Sequence, residues 1–374
     1  LLFDADRKRI TAMKRLLVSI LLVIMSTPGA TAAEIGSAVR IAGNAPVIRY
    51  EGRYAVDAEG GVRLGFPGVT AHLRFRGSSL ALRATASTGD VWFDVVIDDA
   101  PAAKLHLREG DGSYPLLNGK TTGEHRLRLM RRTESWQGEC TLHGFELGAG
   151  SEFLSAEPAP LRRLMFIGDS VTCGEMTAWT PTGPAKSAEN SSAALSYGMI
   201  VARRLGAECH LVSYGGRGII RDWQGIRDTR NAPQFYELAL PDEPKAKWDH
   251  HRYVPDAIGI QLGTNDFNQG IPDQNEFVNA YVEFVRKVRR DAPNAAIFLM
   301  DSPIVSDDAI KGPRRTALHG YLGQIVHRLD DGKVHLLPLR NYPGVPGNGH
   351  PTGAEHEAMA DKIEPVFRAA LGWR

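Results

Sequence analysis

The sequence predicts two architectures in tandem: an all-β sandwich of jelly-roll type over residues 34–155, then a three-layer α/β/α domain of flavodoxin-like order over residues 156–374. Three observations carry this. The first half alternates polar and apolar residues in short runs separated by Gly- and Asp-rich turns, which is the signature of half-buried antiparallel strands. The second half alternates short, continuously apolar runs with longer amphipathic stretches, as a parallel sheet covered by helices requires. Between them Glu157-Pro-Ala-Pro160 closes the segment Ser151–Pro160, which reads as a short stiff linker.

In the first half, His72-Leu-Arg-Phe-Arg76, Ala81-Leu-Arg83, Lys104-Leu-His-Leu-Arg108 and His125-Arg-Leu-Arg-Leu-Met130 put Arg or His on one face and apolar residues on the other. Glu59-Gly-Gly61, Asp98-Asp-Ala-Pro101, Glu109-Gly-Asp-Gly112 and Asn118-Gly119 are the turn signals between strands. Trp92 and Trp136 have two readings, a platform for a ligand or the core packing that is the commoner fate of tryptophan.

In the second half the strands are expected at Leu164–Ile167, Cys209–Ser213, Ala257–Leu262, Ala296–Met300 and Val334–Leu339. The intervening helices are expected from about 193 to 205, ending at Gly206, from about 274 to 290, from about 315 to 329, and from about 352 to 371. The second of these carries Phe277, Tyr281, Phe284, Val285 and Val288 on one face.

Composition is that of an ordinary globular chain: 374 residues, 43% hydrophobic, 23% charged, with a formal net charge of +1. A balance so close to neutral gives no electrostatic case for a nucleic-acid partner. From Met13 a basic start, an apolar run from Leu16 to Met25 and small residues up to Ala33 form the pattern of a secretory signal, too short for a membrane span. Residues 1–12 then lie upstream of the true start, residues 1–33 stand outside the fold, and the mature protein is expected to be secreted or periplasmic with no membrane partner. Cys140, Cys173 and Cys209 allow one disulfide at most. Without CxxC spacing they give no zinc site, and the adjacent His250 and His251 read as a solvated loop rather than as metal ligands.

Ligands of an open parallel sheet bind beyond the carboxyl ends of its strands. After the first predicted strand comes Gly168-Asp-Ser170, a tight turn that presents a hydroxyl. After the second comes Tyr214-Gly-Gly-Arg-Gly218, a source of backbone N–H groups. After the third comes Gly263-Thr-Asn-Asp-Phe267, with a side-chain amide in Asn265. After the last comes Gly347-Asn-Gly-His-Pro351, with an imidazole in His350. Nucleophile, oxyanion donors and general base together are the parts of an acyl-transfer site. Gly215-Gly-Arg-Gly218 lacks the spacing of a dinucleotide fingerprint.

These four segments resemble the blocks of the SGNH (GDSL-type) hydrolases. The Gly-Asp-Ser-x-Thr-x-Gly, Gly-Arg-Gly and Gly-Thr-Asn-Asp-Phe strings, after an N-terminal β-domain, more narrowly resemble carbohydrate esterase family 2. The resemblance implies Ser170 as nucleophile, His350 as base, and Ser170, Gly216 and Asn265 as oxyanion donors. It further implies an esterase that removes O-acetyl groups from acetylated polysaccharides or oligosaccharides such as xylan or glucomannan, with no metal or other cofactor. A lipase or thioesterase on longer acyl chains, and a carbohydrate-binding protein without activity, are the alternatives. Many SGNH enzymes carry an Asp shortly before the catalytic His; here Gly347 and Asn348 stand there. The expectation is a Ser–His dyad in which a main-chain carbonyl near Gly347–Asn348 holds the imidazole, and a carboxylate such as Asp301 or Asp307 bonded to His350 would overturn it. Phe267, Tyr214, Trp179, Trp223 and Arg217 lie in the loops at this edge, as sugar contacts or as local loop packing. Cys173 reads as a packing residue.

Overall fold

The computed structural model describes residues 37–183 and 187–374. The predicted signal segment lies outside the described residues.

The N-terminal part is antiparallel throughout. Its strands are β1 (Val39–Ala42), β2 (Arg49–Glu51), β3 (Tyr54–Val56), β4 (Val62–Leu64), β5 (Thr70–Ala86), β6 (Val91–Ile97), β7 (Ala103–Leu107), β8 (Gly110–Arg131), β9 (Cys140–Leu147) and β10 (Glu152–Leu154). They pair in the order β3-β4-β9-β5-β8-β6-β7, with β1 on β9 and with β2 and β10 on β5. The two expected strands at 72–76 and 81–83 are a single strand, β5, because bulges after Gly77 and Leu80 bend it without ending it. Asn118-Gly119 likewise does not end a strand. Gly77 pairs with Gly123 and Ser79 with Asn118, so the extra residues on β8 are taken up as a bulge. Along β5, Leu73, Phe75, Leu80, Leu82 and Ala84 are buried while Arg74, Arg76 and Arg83 face outward, as the alternation predicts. Part of the expected linker is a strand: Phe153 sits opposite Phe75 and Glu152 opposite Arg76, and both pairs favour pairing over a free joint.

The C-terminal part contains β11 (Arg163–Gly168), β12 (Glu208–Ser213), β13 (Ala257–Gln261), β14 (Ala296–Met300) and β15 (Val334–Leu337). All are parallel, in the order β12-β11-β13-β14-β15. This is the flavodoxin-like order, with its switch point between β11 and β13. The helices are α1 (Ser170–Cys173), α2 (Tyr197–Leu205), α3 (Ala232–Phe235), α4 (Gln274–Asp291), α5 (Arg314–Leu329) and α6 (Gly353–Leu371). Helix α4 buries Phe277, Val278, Tyr281, Val282, Phe284, Val285 and Val288 on one face, and Gly206 in a left-handed conformation ends α2. The α2 and α6 side chains pack with Leu164, Phe166 and Phe298 on one sheet face, and α4 and α5 pack with Met165, Ile167 and Ile260 on the other.

The two sheets share a core. Phe66 of the β part meets Phe235 edge-on at 6.5 Å, and the apolar cluster that contains α4 runs on into β4, β5 and β9. Polar contacts cross the same boundary. Arg53, fully buried, donates to the carbonyl of Leu238 at 3.1 Å, Arg49 pairs with Glu208 at 2.9 Å, and Glu51 accepts the Cys209 N–H at 2.8 Å. Residues 37–374 therefore form one compact unit. Cys140, Cys173 and Cys209 are buried free thiols. Among the described residues no helix is long and apolar enough to cross a membrane.

Candidate active site

Strand β11 ends at Gly168, where a Cβ would fall onto the Thr172 hydroxyl, so only glycine lets α1 start so close to the strand end. Asp169 caps α1 by accepting the Val171 N–H at 3.0 Å, which places Ser170 at the first helical position. Burial pushes the Asp169 carboxyl up to about 6. Ser170 Oγ lies 2.9 Å from His350 Nε2, across 180 residues of sequence. The imidazole comes from the loop before α6, whose start is fixed by a reciprocal capping pair between Thr352 and Glu355.

The turn after β12 faces this pair. Gly216 has φ +75°, and a Cβ there would lie 2.8 Å from the Trp223 ring, so both conformation and space require glycine. The Trp223 N–H donates to the Gly216 carbonyl at 2.9 Å. Asn265, after β13, donates from Nδ2 to the Arg217 carbonyl at 2.8 Å. The amide carries two N–H bonds, so one remains for the cleft. Next to it the fully buried Asp266 accepts the N–H groups of Ile219, Ile220 and Arg221 at 2.8–3.3 Å. Burial raises this carboxyl to about 6 although those donors pull it down. Asp266 thus clips the second turn to the third. The Gly-Thr-Asn-Asp-Phe string displayed it, but only the fold reveals its partners.

Ser170, Gly216, Asn265 and His350 line one cleft of about 610 Å³, together with Trp223 and Trp136. The two tryptophans are 52% and 53% exposed. Trp136 reaches the cleft from the β part, so the core reading does not hold for it. Trp92 is half-buried and stacks on His106 at 4.2 Å, away from the cleft. Tyr214 and Arg217 also line the cleft. Tyr214 is mostly buried with its hydroxyl on Asp242 at 2.8 Å, and Arg217 lies over the Tyr214 ring, 3.6 Å from Asp222. Trp179 is half-buried beside Gly347 and is not among the residues lining the cleft.

Phe267 corrects the sequence reading. It is fully buried, edge-on to Phe277 at 5.4 Å and near Tyr321, because the turn after β13 folds back onto α4 and α5. Phe267→Ala should therefore cost about 3–5 kcal/mol of stability, seen in denaturant unfolding, rather than a selective rise in KM. His250 is a second correction. It is only 14% exposed, with Nε2 3.7 Å from Glu237 and 3.8 Å from Asp291, not in a solvated loop. Lys287, 3.0 Å from Glu237, and the neighbouring Arg53 balance those acids.

Around His350 the carboxylates are placed as follows. Asp301 accepts from His319 at 3.0 Å, and Asp307 accepts from Thr316 at 3.0 Å and below, so both are engaged elsewhere. Glu175, just after α1, lies 3.6 Å from His350 Nε2, the nitrogen that also faces Ser170. Sequence spacing gave no signal for it, because the contact depends on how the chain leaves α1. Glu134, from the β part, reaches behind the second turn and accepts the Gly215 N–H.

The chain matches the family described as Carbohydrate esterase 2 N-terminal over residues 50–158, and the GDSL-like Lipase/Acylhydrolase family over residues 166–363. It is 36% identical to the acetylxylan esterase / glucomannan deacetylase of Cellvibrio japonicus, over 96% of this chain and all of the relative. Among solved structures it is similar to a family two carbohydrate esterase from Cellvibrio japonicus, with a TM-score of 0.86 and 36% identity over 90% of this chain and 99% of that one. It is also similar to the family two carbohydrate esterase from Clostridium thermocellum in complex with cellohexaose, with a TM-score of 0.81 and 28% identity over 87% and 100%. With both family descriptions in tandem and a full-length relative at this identity, the chain belongs to carbohydrate esterase family 2, within the GDSL-like lipases and acylhydrolases.

Proposed function

We propose that the protein is a serine esterase that removes O-acetyl groups from a plant cell-wall polysaccharide such as xylan or glucomannan. The observation that carries this reading is the 2.9 Å contact of Ser170 Oγ with His350 Nε2 on the floor of an open cleft with aromatic walls. In the reaction His350 Nε2 takes the Ser170 proton as Oγ attacks the acetyl carbonyl. The Ser170 and Gly216 N–H groups and the free Asn265 N–H hold the oxyanion. Its collapse expels the sugar oxygen, which receives the proton from His350 and leaves as the alcohol. Water, deprotonated by the same imidazole, then releases acetate from the acetyl-serine.

The dyad reading is retained. Asp301 and Asp307 are engaged elsewhere, and Glu175 faces Nε2, so a carboxylate partner for Nδ1 does not come from these three. A main-chain carbonyl near Gly347–Asn348 is the proposed acceptor for Nδ1–H, which fixes the tautomer. Trp223 and Trp136 offer exposed rings on which sugars stack, and acetylated oligosaccharides are the proposed partners. Two further parts of the reading go with this function. The antiparallel part is a jelly-roll sandwich, supported by the alternation of buried residues along β5 on either side of its bulges, and the protein is exported, supported by the Met13–Ala33 pattern.

The test is a series of aryl esters of increasing acyl length, alongside acetate release from acetylated xylan and glucomannan. Acetate esters should be turned over at least tenfold faster than octanoate esters, with acetate released from polymer. Preference for long acyl chains would point to a lipase, and inactivity on every ester to a binding protein.

A further inference from the structure

We propose that Glu134, supplied by the β part, is a positioning residue for the oxyanion side of the site: its buried carboxyl group accepts the Gly215 N–H and so fixes the turn that aims the Gly216 N–H. The inference rests on the reading of Gly216 as an oxyanion donor.

Glu134 lies three residues beyond the end of β8, at the start of the short turn Ser135–Gln137, and its own N–H donates to Gln137 Oε1 at 3.0 Å. Arg131, fully buried, anchors the segment by donating to the main-chain carbonyls of Thr133 at 2.8 Å and Glu134 at 2.9 Å. Glu134 is 3% exposed. Its carboxyl group lies against Gly215 closely enough that a Cβ there would meet both oxygens at 2.9 Å. The Gly216 N–H belongs to the peptide that follows Gly215. That peptide is held on one side by Glu134 through the Gly215 N–H, and on the other by the Trp223 N–H through the Gly216 carbonyl. With both neighbours pinned, the Gly216 N–H has little freedom to rotate out of the cleft, and preorganisation of this kind is what makes an oxyanion donor effective.

The ionisable groups that face Glu134 are Cys173 of α1 and Glu175 just beyond it. From the turn after β12, Tyr214 is bonded to Asp242 and Arg217 is paired with Asp222. At the end of β8, Arg131 donates to main-chain carbonyls. Among the described residues no cation pairs with this carboxyl group, and burial first, then the charge of Glu175, push Glu134 up to about 8. At neutral pH the group is a neutral acceptor. Above that range a negative charge forms behind the turn that must hold another.

The experiment measures kcat and KM for an aryl acetate across pH 6–10 in wild type, Glu134→Gln, Glu134→Ala and Ser170→Ala. Gln keeps a carbonyl acceptor for the Gly215 N–H and cannot ionise. The expected result is that Glu134→Ala lowers kcat at least tenfold with KM within threefold. Glu134→Gln should stay within threefold of wild type at pH 7 and keep its rate above pH 8, where the wild-type rate falls. Wild-type kcat in the Ala variant, or an alkaline fall unchanged in the Gln variant, overturns the proposal. If the Ala variant does not fold, the pH profile of the Gln variant decides alone. The Ser170→Ala arm separates this from the parent reading: wild-type activity that survives it refutes the serine esterase itself, whatever Glu134 does.

Discussion

Ser170→Ala is expected to lower kcat for an aryl acetate by about 10⁴-fold or more while KM changes little. The hydroxyl makes its decisive bond only in the transition state, so its removal spares ground-state binding. Ser170 is largely buried at the start of α1, and the alanine side chain fits where the serine side chain stands, so the fold should be unaffected. His350→Ala should fall to a similar residual rate. The double variant should be no worse than either single one, since nucleophile and base act as a unit. The check is steady-state kinetics on all three, with unfolding midpoints measured beside them. Independent, multiplicative losses would mean that the 2.9 Å contact is not the working pair.

Gly216→Ala is expected to lower kcat by about 10²–10³-fold, the loss associated with one oxyanion donor. Alanine at φ +75° costs about 1–2 kcal/mol of backbone strain, and its Cβ would sit 2.8 Å from the Trp223 ring. Relief of either rotates the peptide proposed to donate its N–H to the oxyanion. Because Trp223 moves too, a stacked sugar should bind less well, so KM for polymer should rise while KM for an aryl acetate stays nearly constant. Comparing the two substrates in the same variant measures both effects. Unchanged kcat on aryl acetate would remove Gly216 from the oxyanion hole.

The parallel sheet was legible almost residue by residue, because buried parallel strands are continuously apolar and their helices carry a clear stripe. Leu164–Ile167 and Ala296–Met300 needed no tertiary information to be found. The β part was legible in kind but not in count. Bulges let β5 and β8 run through Gly77 and Asn118-Gly119, where local turn chemistry suggests an end. At the site, the four residues that follow strand ends were found because topology alone gathers them there. Phe267 was misread because a residue two positions after Asn265 can face either the cleft or α4, and only packing decides. Glu134 and Glu175 carry no motif, and the string that displays Asp266 does not show its partners: each matters through the backbone or imidazole it touches, and Glu134 and Asp266 are buried. Trp136 shows the same limit, since its place in the cleft depends on how the two sheets pack.

Acid-quenched mass spectrometry of the enzyme during turnover of an aryl acetate tests the Ser170 nucleophile itself. One acetyl group per chain is expected, mapped by peptide digestion to Ser170, absent from Ser170→Ala and cleared when substrate is exhausted. Full turnover with acetyl found on another residue, or with Ser170→Ala as active as wild type, would contradict it.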